Sequence, residues 1–306
     1  MSAGLAGCKS AVDGCVDRDA PAQIELQQPI SRVYVMANLS DRIRQRNKIE
    51  EAFHDDWASK IQVDELLVPQ FFEAPTAIDN QYILGLIGDV REKQVLDLGC
   101  GAGEAAVYFA RKGAHASGID ISGEMINVAQ RLAEKHCVQV NFQRMAAEAL
   151  QFPDACFDIV YGYGALHHID LARSGEEIFR VLKKDGLAVF VEPLGYNPVL
   201  WVYRLFAKAT RTEAERPFFF SQLKHFKGFS SVSHREFWLL SLLVFIYFLL
   251  VKRYHPSKVR YWRQVIVEGE EHERWFRILK KLDTAVLKLV PPLRYLCWNT
   301  VITLKK

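Results

Sequence analysis

Short apolar runs alternate with amphipathic segments through the middle of the chain. The runs QVLDLG, HASGIDIS, VQVNFQRM, FDIVYGYG and LAVFVEP each have the length of a buried strand. Between several of them lie segments whose apolar residues recur every three to four positions, such as EAAVYFARKG, EMINVAQRLAEKHC and GEEIFRVLKK. Strands that alternate with helices in this way are typical of a doubly wound, mostly parallel sheet with helices on both faces. The pattern therefore predicts an α/β fold.

The same pattern divides the chain into four parts. Residues 1–30 mix Gly, Ala, Asp and Gln without periodicity and are predicted to be a flexible tail. Residues 31–92 show helical periodicity and are predicted to form an N-terminal helical lid. Residues 93–195 form the Rossmann-like core that binds a ligand. Residues 196–306 are predicted to be a helical insert that caps the substrate, followed by a last strand, YLCWNTVITLKK, at the sheet edge.

Composition and charge exclude several classes of function. The chain has 306 residues and a net charge of +3, which is too small to indicate nucleic acid as the main partner. Its six cysteines include no C-x-x-C pair, so we expect reduced thiols and neither a disulfide scaffold nor a metal site. The N-terminus lacks a basic start followed by an apolar run, which predicts a cytoplasmic protein without a signal peptide.

The stretch VLDLGCGAGEAAVYFA indicates a ligand at the start of a helix. A strand leads into a glycine cluster and then into the helix, but the dinucleotide fingerprint G-x-G-x-x-G is incomplete. Gly99 and Gly101 fit it, while Glu104 occupies the sixth position and Gly103 comes one residue early. Asp120 ends the second strand, where a carboxylate can accept both hydroxyls of a ribose. The ligand is therefore predicted to carry a ribose.

Asp97 distinguishes between the two nucleoside ligands that fit this arrangement. It lies at the carboxyl end of the first strand and is expected to face the crevice. A pyrophosphate gains nothing from a carboxylate, whereas S-adenosylmethionine carries an ammonium and a sulfonium that a carboxylate attracts. The helix start offers backbone N–H groups to the carboxylate of the same ligand. The residues therefore predict S-adenosylmethionine, with S-adenosylhomocysteine as product, and make a dehydrogenase a distant alternative.

Several motifs together carry a family resemblance over about residues 50–195. The runs DLGCGAG, GIDIS, AEALQFPDACFD, ALHHI and RVLKKDG resemble those of a class I S-adenosylmethionine-dependent methyltransferase of the small-molecule, type 11-like group. The resemblance implies glycines around the methionyl part, Asp120 with Ile121 at the ribose and adenine, and Ala147 at the adenine edge. The full set of expected cofactor residues is Asp97, Gly99, Cys100, Gly101, Gly103, Asp120, Ile121, Ala147, Glu148 and Gly162.

One position departs from the family pattern. Family members often carry Gly-Asp before the AEAL run, and this chain has Met145 and Ala146 there. An aspartate contact to the adenine is therefore missing, so backbone groups or Glu148 are expected to replace it.

Candidate catalytic residues follow the fourth and fifth strands. His167 and His168 come after the fourth strand, near the expected position of the methyl group, and either is a candidate general base. The alternative is that the pair only packs the loop. Glu192 ends the fifth strand and either orients a substrate or is a hydrogen-bonded edge carboxylate. The candidate substrate residues on the lid and the crevice wall are His54, Tyr82, Tyr163 and Tyr196.

An apolar run in the C-terminal part bears on the substrate. Phe237–Val251, FWLLSLLVFIYFLLV, is flanked by basic residues. As a helix it is about 22 Å long at 1.5 Å per residue, which falls short of the ~30 Å hydrocarbon core of a bilayer. It remains open whether it is a buried helix, an interfacial membrane anchor or the wall of an apolar pocket.

These features predict methyl transfer to a small hydrophobic molecule, natural product-like or lipid-like. The cofactor's leaving group is already activated, so the protein has mainly to align an O, N or C nucleophile with it. The alternatives are a membrane-peripheral lipid methyltransferase, and a protein of the same fold with a cyclase or binding role. The sequence leaves the acceptor atom open.

Overall fold

A seven-stranded mixed sheet forms the centre of the protein. The computed structural model describes residues 41–206, 212, 215–255 and 259–306, so the predicted tail lies outside the described residues. The sheet order is β3-β2-β1-β4-β5-β7-β6; β1 to β5 run parallel, and β7 pairs antiparallel with both β5 and β6. The strands are β1 (Gln94–Leu98), β2 (His115–Asp120), β3 (Asn141–Arg144), β4 (Phe157–Tyr163), β5 (Leu182–Pro193), β6 (Ser231–Phe237) and β7 (Asn299–Lys305).

Helices cover both faces of this sheet, which confirms the predicted doubly wound α/β class. Short 3-10 turns at 63–65, 166–168, 220–225 and 291–296 complete the element order. The α-helices are α1 (Asp41–Ala58), α2 (Val68–Glu73), α3 (Ile78–Ile87), α4 (Glu104–Arg111), α5 (Gly123–Lys135), α6 (Leu171–Val181), α7 (Pro198–Phe206), α8 (Leu243–Leu250), α9 (Tyr261–Val267) and α10 (Gly269–Leu289).

Strand alternation divides the core between the two faces. On β1, Val95 packs with residues of α2 to α5, whereas its neighbour Leu96 packs with residues of α6. The same split separates Val301 from Ile302 on β7. Successive side chains of a strand point to opposite faces of the sheet. Because helices cover both faces, every position of such a strand is buried, and the strand is a continuous apolar run.

Helix starts follow the capping rules. The predicted N-cap Ser122 is confirmed: its hydroxyl accepts a hydrogen bond from the Met125 N–H at 3.0 Å at the start of α5. Asp170 caps α6 in the same way through the Arg173 N–H. Both caps follow the carboxyl ends of strands, so they fix the loops that surround the crevice.

The C-terminal part differs from its prediction in two respects. The last strand, β7, lies between β5 and β6, so the expectation that it forms the sheet edge is wrong; β6 is the edge strand. The apolar run is not one helix. Phe237 ends β6, Trp238 adopts a left-handed conformation with φ +70°, and α8 begins only at Leu243. Within the described ranges, none of the helices has the length and apolar character needed to cross a membrane.

Candidate functional site

The glycine turn after β1 brings the ends of β1 and β2 together. The N–H groups of Gly99 and Cys100 both donate to the Ile119 carbonyl, at 2.9 and 2.8 Å. Gly99 has φ +72°, and a Cβ there would lie 2.9 Å from the Ala165 Cβ. Only glycine fits this conformation and this close approach of the loop after β4. The turn thus leaves a gap beyond the strand ends, which a ligand can enter.

Asp120 is fixed at the edge of that gap by the backbone. Its carboxylate accepts hydrogen bonds from the N–H groups of Gly101 and Ser122, both at 2.9 Å. The residue is buried, yet it lines the cavity described next. A carboxylate held by two backbone donors has a fixed orientation and keeps lone pairs for two ligand hydroxyls.

A pocket with about 580 Å³ of empty space, open solvent included, lies beyond the carboxyl ends of β1 to β4, and we call it the strand-end cavity. Seven of the predicted site residues line it. Among the residues that the structure describes, its 16 lining residues include no lysine or arginine, so none of them offers a pyrophosphate a permanently cationic side chain. The predicted residues that line it are Gly99, Asp120, Ile121, Ala147, Glu148, His54 and His168.

Asp97 does not line the strand-end cavity, which corrects the prediction that it faces the crevice. Its carboxylate lies under the glycine turn and accepts the Ala106 N–H at 3.0 Å in the first turn of α4. Burial raises the pKa of this carboxyl to about 8, and the negative charges of Asp120 and Glu104 contribute. Asp97 therefore holds the start of α4, and its contact with a cofactor stays a prediction.

Four other expected cofactor residues also lie outside the cavity lining. Gly162 is inside β4, where a Cβ would lie 2.8 Å from the Phe190 ring; Gly164 lines the cavity in its place. Gly103, with φ +87°, caps α4 against α5, and Gly101 contributes the N–H that holds Asp120. Cys100 is buried, and burial raises the pKa of its thiol well above the ordinary value. Gly101, Gly103 and Cys100 therefore shape the turn after β1, and Gly162 allows β4 to pack closely on Phe190.

Helix α1 closes the strand-end cavity. Arg46 forms an ion pair with Glu148, whose carboxylate also accepts the Asp170 N–H at 2.8 Å. Asp55 accepts a hydrogen bond from the Ser122 hydroxyl at 2.5 Å. These contacts hold α1 against the loops after β2, β3 and β4, where the sequence predicted a lid.

His168 forms a hydrogen-bonded pair with Glu50 of α1. The distance from His168 Nδ1 to the Glu50 carboxylate is 2.9 Å, and the Thr212 hydroxyl donates to the same carboxylate at 2.5 Å. Burial alone would raise the pKa of Glu50, but the bonds to His168 and Thr212 bring it below its ordinary value. Burial lowers the pKa of His54, which lies 3.8 Å from Glu50. An oriented imidazole thus faces the cavity.

His167 and Glu192 form a second pair, and the His167 ring lies 4.2 Å from the ring of His168. His167 Nδ1 lies 2.6 Å from the Glu192 carboxylate, which also accepts the Leu166 N–H at 2.7 Å. Burial lowers the pKa of His167, but the Glu192 charge more than offsets this, and the pKa lies above its ordinary value. Neither side chain lines a described cavity. This pair fixes the loop after β4 to β5, and its catalytic role stays a prediction.

A second pocket, with about 430 Å³ of empty space that includes open solvent, lies near the end of β4, and we call it the aromatic cavity. Tyr163 lines it, while the next residue, Gly164, lines the strand-end cavity. Both cavities therefore lie near the end of β4. The aromatic cavity is lined by Phe71, Thr76, Ala77, Asp79, Asn80, Tyr163, Trp238, Phe245, Trp262, Ile266, Trp298 and Asn299.

Asp79 is the acidic residue of the aromatic cavity. The Trp238 indole N–H donates to one carboxylate oxygen at 2.9 Å, and the Asn299 amide donates to the other at 2.7 Å. Burial raises the pKa of Asp79 to about 6, although these two hydrogen bonds oppose the shift.

Two expected substrate residues lie elsewhere. Tyr82 packs on Phe237, with the Arg235 guanidinium 4.7 Å from its ring centre. Tyr196 contacts Phe219 and Tyr295 and is 37% exposed. Neither lines a described cavity, so their role in substrate binding stays a prediction.

Sequence reasoning also missed Asn47, Glu50 and Asp79. Each is a polar residue buried within a helix: Asn47 and Glu50 on α1, and Asp79 on α3. A polar residue on the buried face of a helix was the available signal, and the burial could not be known from one sequence.

Comparison with known proteins agrees with this geometry. Residues 96–190 match a family described as a methyltransferase domain. The chain is 41% identical over 103 residues to an uncharacterized methyltransferase, YcgJ, of Bacillus subtilis, covering 33% of this chain and 41% of that protein. Within residues 96–190 this chain is therefore similar to methyltransferase domains. The family resemblance predicted from the motifs is therefore confirmed.

Two further relatives extend the comparison. A ubiquinone biosynthesis O-methyltransferase of Aeromonas salmonicida is 34% identical over 126 residues, which cover 40% of this chain and 52% of that protein. The chain thus spans about half the length of the curated relatives it matches. Phosphoethanolamine N-methyltransferase 2 of Haemonchus contortus, in complex with S-adenosyl-L-methionine, superposes with a TM-score of 0.51 at 18% identity, covering 74% of this chain and 52% of that one. That likeness concerns the fold alone.

The Haemonchus structure holds S-adenosyl-L-methionine, the cofactor that the sequence predicts for this chain. The strand-end cavity fits this group. Asp120 offers an oriented carboxylate for ribose hydroxyls, and Ile121, Met145 and Ala147 provide apolar surface for a planar base.

Proposed function

We propose that this protein is a methyltransferase that uses S-adenosylmethionine to methylate a small, largely apolar molecule bound in the aromatic cavity. One observation carries the proposal: consecutive residues, Tyr163 and Gly164, line the two cavities. A donor in one cavity and an acceptor in the other would then meet at the end of β4. Holding two reactants in line accounts for much of the rate of such transfers.

In this proposal the strand-end cavity binds the cofactor through three groups. Asp120 accepts hydrogen bonds from the two ribose hydroxyls, and Ile121 and Ala147 contact the adenine. Glu148 replaces the aspartate that family members often carry before the AEAL run and that this chain lacks. When bound, S-adenosylmethionine supplies a methyl group on a positively charged sulfur. Helix α1 covers the cavity and excludes water, held by its contacts with Glu148 and Ser122.

We assign the general base to His168. Its Nδ1 is engaged by Glu50 at 2.9 Å, so Nε2 is the nitrogen that takes a proton from the acceptor. The buried Glu50 carboxylate orients the ring and stabilises the imidazolium that forms. A base is needed when the nucleophile must lose a proton, as a phenol does.

The apolar character of the acceptor is supported by the second cavity. Six of its twelve lining residues are aromatic and four more are polar. Such a wall binds an apolar body and orients it through few polar groups. The name of the Aeromonas relative, an O-methyltransferase of ubiquinone biosynthesis, is compatible with an acceptor that carries an apolar part.

Transfer of a labelled methyl group tests the proposal. The purified chain is incubated with trideuteromethyl S-adenosylmethionine and a panel of apolar phenols and amines, and products are detected by mass spectrometry. We expect a labelled product that is absent without protein and suppressed by S-adenosylhomocysteine. His168→Ala should lower the rate for phenols by about 10²–10⁴-fold, the usual contribution of a general base. Binding of the cofactor without transfer to any acceptor would instead favour the cyclase or binding role.

A further inference from the structure

Asp79 is a buried carboxylate without a cationic partner. It is 4% exposed, and its two oxygens accept hydrogen bonds from the neutral donors Trp238 and Asn299. Lys280 acts on it only at a distance, and in the part of the chain that the structure describes no lysine or arginine forms an ion pair with it. A buried charge is costly unless an opposite charge lies beside it. A cation bound in the cavity would therefore stabilise the charged form of this carboxylate.

Aromatic rings surround the space into which Asp79 faces. Three tryptophans line the cavity, at positions 238, 262 and 298, together with Phe71 and Tyr163. The face of an aromatic ring is electron-rich and attracts cations, tryptophan most strongly. Rings and a carboxylate in one cavity favour a positively charged group over a neutral one, and they exclude carboxylates and phosphates.

We propose that the aromatic cavity binds a positively charged nitrogen, an amine or quaternary ammonium, between Asp79 and the tryptophan rings. This deepens the proposed function, on which it rests for the identity of the cavity as the acceptor site. The acceptor is thus an amphiphilic amine: its apolar part contacts the rings and its charged nitrogen lies against Asp79.

The pH dependence of binding follows from the groups that face Asp79. They are Lys280 on α10, Tyr161 and Tyr163 on β4, and Cys297 before β7. Their ordinary pKa values lie far above 6, and burial raises those of both tyrosines and the thiol further. Asp79, with a pKa of about 6, is therefore the group that titrates. A permanent cation should bind fully above pH 7 and lose affinity as the pH falls through 6.

A matched pair of probes tests this proposal without the cofactor. Phenyltrimethylammonium and its neutral isostere tert-butylbenzene are titrated into the full chain, and the tryptophan fluorescence is followed. At pH 7.5 we expect the cation to bind about tenfold more tightly than the isostere, within the range of a desolvated cation–π contact. At pH 5 this preference should disappear, while the affinity of the isostere stays unchanged.

Asp79→Asn removes the charge and nearly preserves the shape. We expect it to abolish the preference for the cation at pH 7.5, whereas Asp89→Asn, an exposed change just after α3, should leave it intact. Unchanged S-adenosylmethionine binding by Asp79→Asn would show that the chain still folds. Equal affinity of both probes for the wild type, or an undiminished preference in Asp79→Asn, would overturn the proposal. Neither result depends on methyl transfer, so failure here is distinct from failure of the proposed function.

Discussion

Three buried carboxylates, Glu50, Asp79 and Asp120, give the two cavities their chemical character. Their partners differ: Asp120 is held by two backbone N–H groups, Glu50 by His168 and Thr212, and Asp79 by two neutral side chains. The pKa of Glu50 is lowered by its partners and that of Asp79 is raised by burial. A buried carboxylate thus orients a base in the strand-end cavity, and another carries a charge without an ion-pair partner in the aromatic cavity.

Glu50→Gln tests the positioning role of Glu50. Glutamine keeps the hydrogen bond to His168 but not the charge that stabilises the imidazolium. We expect kcat for a phenol to fall by about tenfold or more, with little change in KM or in cofactor affinity. Glu50→Asp should recover part of kcat, and Asp56→Asn, an exposed change on the same helix, should be neutral. A full kcat in Glu50→Gln would remove Glu50 from the mechanism.

At the scale of elements, α1 is the helix that the sequence assigned to a lid, and α8 is the helix whose role the sequence left open. Helix α1 places Glu50 and His54 over the strand-end cavity and is fixed by side-chain contacts at Arg46 and Asp55. Helix α8 packs Val244, Phe245 and Phe248 inward. Its opposite face is apolar and exposed, comprising Leu243, Ile246, Leu249, Leu250 and Val251.

We propose that the exposed face of α8 contacts an anionic lipid surface. Leu250 and Val251 are 68% and 65% exposed, and the exposed Arg253 follows them. The ring of Phe206, at the exposed end of α7, lies 6.4 Å from the ring of His255, which extends the apolar face. An apolar face flanked by positive charge binds at the boundary of headgroups and acyl chains.

Vesicle co-sedimentation tests this contact. The wild type should pellet with vesicles of phosphatidylcholine and phosphatidylglycerol, and Leu250→Glu should reduce the bound fraction several-fold because a charge enters the apolar face. Leu86→Glu, on the exposed part of α3, serves as the matched control. Equal pelleting of Leu250→Glu and the wild type, or none by either, would contradict a membrane role for α8.

For the whole molecule, the sequence predicted the central sheet better than the cavities. Within residues 93–195, strand-like and helix-like hydrophobic patterns alternate, and each pattern matches the strand or helix that forms there. Phe237–Val251 gave no such signal, because a uniformly apolar run does not mark where the chain turns at Trp238. The aromatic cavity joins Asp79 to Asn299, 220 positions apart, and one sequence contains no information on that contact.

In the cofactor site, too, local features were predictable from the sequence and contacts with other elements were not. Gly99 and Asp120 were found because a turn and a strand end can be recognised locally. Asp97 was placed at the correct strand end, but its direction was not predictable, since it depends on the Ala106 N–H of the following helix.

Calorimetric titration of the full chain with S-adenosylmethionine tests the cofactor site most directly. The wild type should bind S-adenosylmethionine and S-adenosylhomocysteine but not NADH. Asp120→Ala should bind roughly 10–100-fold more weakly, because hydrogen bonds to a charged group contribute about 1.5–3 kcal/mol, while the exposed change Glu134→Ala should have no effect. A folded wild type that binds neither ligand, or an Asp120→Ala variant that binds as well as the wild type, would contradict the assignment of the strand-end cavity.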